Sequence, residues 1–120
     1  MVVFADVHPE TLCLDPDDIE HRITPRTKAI VAVHWSGHPC EMDKICAIAK
    51  KHGVKVIEDV SHAHGGRYKG QKVGTFGDVA AMSCMSGKSL AVGEVRVLRR
   101  RGRPWLVSAV AAPFGRWAEP

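Results

Sequence analysis

The chain has 120 residues, enough for one small domain, and its 45% hydrophobic and 25% charged residues are ordinary for a soluble globular protein. No apolar run approaches the roughly 18 residues of a membrane-crossing helix, and no basic patch followed by an apolar stretch opens the sequence, so a cytoplasmic protein is expected. The formal charge of +4 is unevenly placed: residues 1 to 94 hold 11 Lys and Arg against 12 Asp and Glu, whereas residues 95 to 120 hold 6 Arg against one acid, Glu119.

In chain order, Val2-Val3-Phe4 is a short β-type run. Asp15-Pro16-Asp17-Asp18 predicts a helix start, with Asp15 as N-cap, Pro16 at the first helical position and two acids facing the positive dipole end. Thr24-Pro25 ends that helix, because the residue before a proline is pushed out of the α region. Ala29-Ile30-Val31-Ala32-Val33 is continuously apolar, the pattern of a parallel strand covered on both faces. Apolar residues at Met42, Ile45, Cys46 and Ala49 mark an amphipathic helix, with Lys50, Lys51 and His52 in its last turn and Gly53 as C-cap. Val54-Lys55-Val56-Ile57 is the next strand, stopping at Glu58-Asp59, so these three elements form a βαβ unit. Glycines 65, 66, 70, 74 and 77 divide the following stretch into turns, with a short hairpin at Arg67-Tyr68. Asp78 to Met85 gives a further strand, and Ser86-Gly87-Lys88-Ser89 a polar loop.

The four cysteines, Cys13, Cys40, Cys46 and Cys84, form no CxxC pair and read as reduced thiols. His34, His38 and Cys40, or His62 with His64, offer atoms that suit zinc, but at spacings unlike the usual zinc patterns, so no metal site is expected. In an open α/β sheet, ligands bind beyond the carboxyl ends of the strands. Asp59 closes one strand and Lys88 lies just past another, so the fold can bring a carboxylate and an amine to one pocket; a plain salt bridge between them is the alternative.

Several motifs go further. Val56-Ile57-Glu58-Asp59-Val60-Ser61-His62-Ala63-His64-Gly65, Tyr68-Lys69-Gly70, Val73-Gly74-Thr75-Phe76-Gly77-Asp78, and Ser83 five residues before Lys88 closely resemble the DegT/DnrJ/StrS family of sugar aminotransferases. Phe4-Ala5-Asp6-Val7, Ile23-Thr24-Pro25-Arg26-Thr27-Lys28-Ala29-Ile30 and Ala47-Ile48-Ala49-Lys50-Lys51-His52-Gly53 are similar to it in the same order, and the resemblance runs from about Phe4 to Glu94.

The resemblance implies an α/β fold: a fragment of the large pyridoxal-phosphate-binding domain of a fold-type-I aminotransferase, mostly parallel sheet with flanking helices. Residues 1–94 are expected to form this partial domain and residues 95–120 a divergent basic tail. It further implies that Lys88 forms a Schiff base with the cofactor pyridoxal 5'-phosphate and shuttles the proton. Asp59 is expected to face the pyridine nitrogen, His62 to lie against the ring, and Ser83 to bond the phosphate. His34-Trp35-Ser36-Gly37, at another strand end, is a candidate pocket lining, whereas His64, Arg67 and Tyr68 read as structural. The implied partners are a nucleotide-linked sugar or cyclitol substrate, a glutamate or glutamine donor and a second subunit; no nucleic-acid or membrane partner is expected.

The sequence also departs from the family. A complete member is several times longer, starts well before the equivalent of Val2, and supplies from elsewhere a phosphate-cupping helix start, an aromatic stacking residue and the small domain. Where such chains run on to Gly-Glu-Gly-Gly, here Val92-Gly93-Glu94 passes into Val95-Arg96-Val97 and Arg99-Arg100-Arg101-Gly102-Arg103-Pro104. Arg, Ala, Gly and Pro accumulate when GC-rich DNA is read out of frame, so residues 95–120 are read as a shifted frame. Two other functions stand beside amino transfer: a non-catalytic remnant that keeps the motifs, and a tail whose arginines release counterions from phosphates.

Overall fold

The computed structural model describes residues 1–91, 95–104 and 106–109. The first helix, α1, spans Pro16–Arg22. Asp15 caps it from an extended backbone, its carboxylate accepting the Asp17 N–H at 3.0 Å, which satisfies one of the donors a helix start leaves without partners. Ile23 has already left the helical region ahead of Thr24-Pro25. The second helix, α2, spans Met42–His52 and buries Met42, Ile45 and Ala49. Gly53 closes it at φ +67°, donating to the Ala49 and Lys50 carbonyls, a conformation that costs a residue with a Cβ more than glycine. Glu20 of α1 ties the helices together, accepting from Lys51 at 2.7 Å and His52 at 2.8 Å.

Strands β1 (Ala29–Val33), β2 (Lys55–Asp59), β5 (Val79–Ser83), β6 (Val95–Arg100) and β7 (Leu106–Ala109) form one sheet in that order. The β1–β2 and β2–β5 pairs are parallel, and β6 and β7 extend the sheet antiparallel. A hairpin of β3 (Arg67–Tyr68) and β4 (Gln71–Lys72) turns through Lys69 and Gly70, both at positive φ as a two-residue turn matched to strand twist requires. The α/β class inferred from the sequence therefore holds, and Val95–Arg100 joins it as a strand. Residue 105 and residues 110–120, like Val92-Gly93-Glu94, lie outside the described residues.

Two expectations need correction. Val2-Val3-Phe4 forms no strand and is exposed; the nearest pairing is the isolated bridge Val7 to Leu14, and a β run without a neighbouring strand leaves its N–H groups to water. Among the described residues, the continuously apolar β1 is covered on one face only. Ile30 and Ala32 of β1 and Val56 of β2 meet Ile19, Met42, Ile45 and Ala49 in the core, so both helices lie on that face. The opposite face leaves Val31 53% and Val33 38% exposed, in register with Val79 and Leu98, which are also exposed. Its apolar sequence records a demand for cover that α1 and α2 do not meet.

The four cysteines are free thiols. Burial, reinforced by the neighbouring Cys13 thiol, pushes the Cys40 thiol up to about 12. Among the described residues no helix is long and apolar enough to cross a membrane.

Candidate functional site

The strand ends carry the candidate residues because of a simple alternation. Successive residues of β2 point to opposite faces, so Val56 and Glu58 turn into the core while Asp59 turns to the other side. Asp59 is level with Val33 of β1 and Ala81 of β5; Ser83, two residues beyond Ala81, shares its face. Beyond the ladder the two strand ends are laced together: the Val60 N–H donates to the Ala81 carbonyl at 2.8 Å, and the Ser83 N–H to Ser61 Oγ at 3.0 Å.

Asp59, His62, Ser83 and Lys88 are all half-buried. Oδ1 of Asp59 accepts the Ser61 N–H at 2.9 Å. Among the described residues Asp59 and Lys88 form no ion pair, so the plain salt bridge that their positions allow is not made there. His62 packs edge-on against Trp35, ring centroids 5.1 Å apart at 60°. Their meeting depends on a tight turn in which Ser36 and Gly37 both take positive φ, and a Cβ on Gly37 would stand 3.3 Å from the His62 carbonyl. His64 Nε2 donates to the Ser83 carbonyl at 2.9 Å while Nδ1 faces Ser89 Oγ at 3.2 Å, so its ring spans the two ends of the loop that carries Lys88.

His34 was a candidate pocket lining, and the structure corrects that: it is fully buried, as is Glu58. The Glu58 carboxylate accepts four hydrogen bonds. Oε1 takes the N–H groups of Phe76 at 2.8 Å and Gly77 at 2.6 Å; Oε2 takes Gly74 N–H at 2.6 Å and His34 Nε2 at 3.2 Å. Burial is the strongest single influence on this carboxyl and pushes its pKa up, but the His34 bond and the Gly77 and Gly74 N–H groups together hold it below the usual carboxylate range. Gly77 is glycine because a Cβ there would lie 2.8 Å from the Val56 carbonyl and 3.3 Å from the Glu58 side chain. The sequence contains a signal for this pair: two adjacent acids at the end of an apolar strand put one on each face, and the one in phase with Val56 needs a buried partner.

A cleft of about 560 Å³ lies elsewhere, lined by His8, Glu10, His38, Lys44, Arg67 and Lys69 among others, and includes none of the four candidates. Its Glu10, Lys44 and Arg67 are exposed and charged, and its Lys69 is already paired with Asp43 at 2.5 Å. The edge at Asp59, Ser83 and Lys88 accords better with the way parallel sheets bind ligands. Its chemistry also suits pyridoxal phosphate: a carboxylate for a protonated ring nitrogen, a flat imidazole, a short hydroxyl donor and a primary amine.

Fold and strand-end chemistry together define an α/β domain of the aminotransferase class. The chain belongs to the DegT/DnrJ/EryC1/StrS aminotransferase family, whose model matches residues 1–96. It is 49% identical over 92 residues to an L-glutamine:2-deoxy-scyllo-inosose aminotransferase of Streptomyces kanamyceticus, covering 77% of this chain and 22% of the relative. A GDP-perosamine synthase of Escherichia coli O157:H7 is 46% identical over 92 residues, covering 77% of this chain and 25% of that one. Among solved structures, the aminotransferase from Psychrobacter cryohalolentis is similar at a TM-score of 0.80 and 42% identity, over 82% of this chain and 25% of its own. The chain thus spans about a quarter of the length of the relatives it matches.

Proposed function

We propose that this chain carries the cofactor-holding segment of a pyridoxal-phosphate-dependent aminotransferase that moves an amino group from glutamate or glutamine to a keto group of a nucleotide-linked sugar or a cyclitol. The observation that carries this reading is that Asp59 and Ser83 stand on one face at the C-terminal ends of adjacent parallel strands, with Lys88 in the loop that leaves the second. The acceptor follows the relatives' printed activities, a cyclitol aminotransferase and the synthase of a nucleotide-linked amino sugar.

Each residue then has a defined part. Pyridoxal phosphate, when bound, supplies an electron sink for the pair left by a broken C–H bond. Lys88 Nζ would be its covalent attachment point, and as a free amine would take up and return the proton. Asp59 keeps a proton on the ring nitrogen by offering a fixed negative charge. His62, steadied by Trp35, presents a flat face, and the Ser83 hydroxyl donates to the phosphate. A second subunit is expected to complete the pocket.

Mixing the protein with pyridoxal phosphate, reducing with borohydride and mapping peptides tests the assignment. A reduced adduct on Lys88 alone, absent from Lys88→Ala, is the expected outcome; labelling scattered over other lysines, or none, overturns it. The second reading, that the chain keeps these motifs without chemistry, predicts that negative result.

A further inference from the structure

Asp59 can serve a ring nitrogen only if the end of β2 is held at a fixed depth and rotation. One neighbouring residue grips that end twice. The His34 main-chain N–H donates to the Asp59 carbonyl at 3.1 Å, and the His34 ring meets the carboxylate of Glu58, the residue before it, at 3.2 Å. The first bond fixes where Asp59 lies along the strand. The second fixes the rotation of β2, because a strand whose Glu58 is locked into the core must turn Asp59 to the opposite face.

The ring's hydrogen-bonding state follows from its other contact. The Cys40 N–H donates to His34 Nδ1 at 3.1 Å, so Nδ1 is the unprotonated nitrogen and Nε2 carries the hydrogen directed at Glu58. The His34 and Glu58 side chains at the centre of the network are fully buried, and among the described residues no buried side-chain nitrogen or oxygen lacks a partner. Such a network is stiff, since releasing one member strands the others in a medium without water.

We propose that His34 is a positioning residue for Asp59, acting through the buried Glu58 carboxylate without touching the cofactor. This rests on the reading of Asp59 as the partner of the ring nitrogen. Two substitutions separate the two jobs of the ring. Gln in place of His34 keeps a donor near the Nε2 position and loses the acceptor for Cys40; Asn keeps the acceptor and loses the donor to Glu58. If the ring serves only to anchor the Cys40 turn, Asn is the better replacement; if it positions Asp59, Gln is.

The experiment titrates the full chain and its His34→Gln, His34→Asn and Asp59→Asn variants with pyridoxal phosphate, reading dissociation constant and absorbance maximum. It also records long-range proton–nitrogen NMR correlations of the unmodified chain's imidazoles without cofactor. The expected result is His34 protonated on Nε2 alone, His34→Asn weakening binding about tenfold, the scale of one buried hydrogen bond, and His34→Gln recovering most of that loss. The absorbance maximum of His34→Asn should move in the same direction as that of Asp59→Asn. A hydrogen on Nδ1 overturns the proposal, and so does a folded His34→Asn that matches the unmodified chain while Asp59→Asn does not; in both cases the role of Asp59 stands. Should His34→Asn fail to fold, His34→Gln decides, and binding as poor as that of Asp59→Asn counts against the proposal. An Asp59→Asn variant indistinguishable from the unmodified chain, or no cofactor band in the unmodified chain, removes the role of Asp59 and the proposal with it.

Discussion

Exchanging Glu58 for Gln keeps its volume but sets an amide NH2 against two of the four donors that now point at the carboxylate. Urea unfolding of Glu58→Gln should show a loss of about 2 kcal/mol, and Glu58→Ala, which strands three N–H groups and a histidine, about 3 kcal/mol or more. The pH dependence has a definite sign. The folded pKa of Glu58 lies below its unfolded value, so its contribution is complete above the unfolded value and fades as pH falls through the folded one. Unfolding free energies of Glu58→Gln measured across that acid range should be flatter than those of the unmodified chain. The four candidate site residues come from the resemblance of their motifs to a known family, and the structure adds that Asp59 and Ser83 share a face at the ends of adjacent strands. The buried pair behind them was less legible in the sequence: Glu58 stood inside a motif with no task, and His34 read as pocket lining, because linear order does not reveal which strand end closes over another.

The helices were read closely from sequence, since caps and charge placement act within a few residues. Gly53→Ala should destabilise by about 1 kcal/mol from the positive φ alone, since a Cβ there meets nothing within 4 Å. Asp15→Ala should cost about 1 kcal/mol through the lost cap, measured by the same denaturation. Glu20 makes an acid-sensitive link between elements: its bonds to Lys51 and then His52 lower its pKa to about 2. The bridge from α1 to α2 is therefore intact above the ordinary carboxylate range and lost as pH falls towards about 2; Glu20→Gln should remove that part of the acid dependence. Strand readings failed where partners decide. Val2-Val3-Phe4 has β character but no neighbour, and β1 has apolar residues on both sides but helices on one, so neither outcome is contained in the local sequence.

Across the molecule, the sheet separates a packed face from one where Val31, Val33, Val79 and Leu98 meet solvent. Apolar area of this kind promotes association, so Val31→Lys with Val79→Lys should reduce concentration-dependent light scattering while changing unfolding free energy by no more than about 0.5 kcal/mol. The arginines that read as a free basic tail are partly engaged: Arg99 donates to the Gly74 carbonyl at 2.9 Å, and Arg101 to the Phe76 and Gly77 carbonyls, opposite the N–H groups that hold Glu58. The sheet's spatial order is also its chain order, so during synthesis each strand emerges beside one already made. Glu58 is the exception to this orderly growth. Its carboxylate reaches the core with β2, yet the last amide that holds it belongs to Gly77, 19 residues later. Of its four partners only His34 precedes it in the chain, so the carboxylate is fully held only once Gly74, Phe76 and Gly77 have followed.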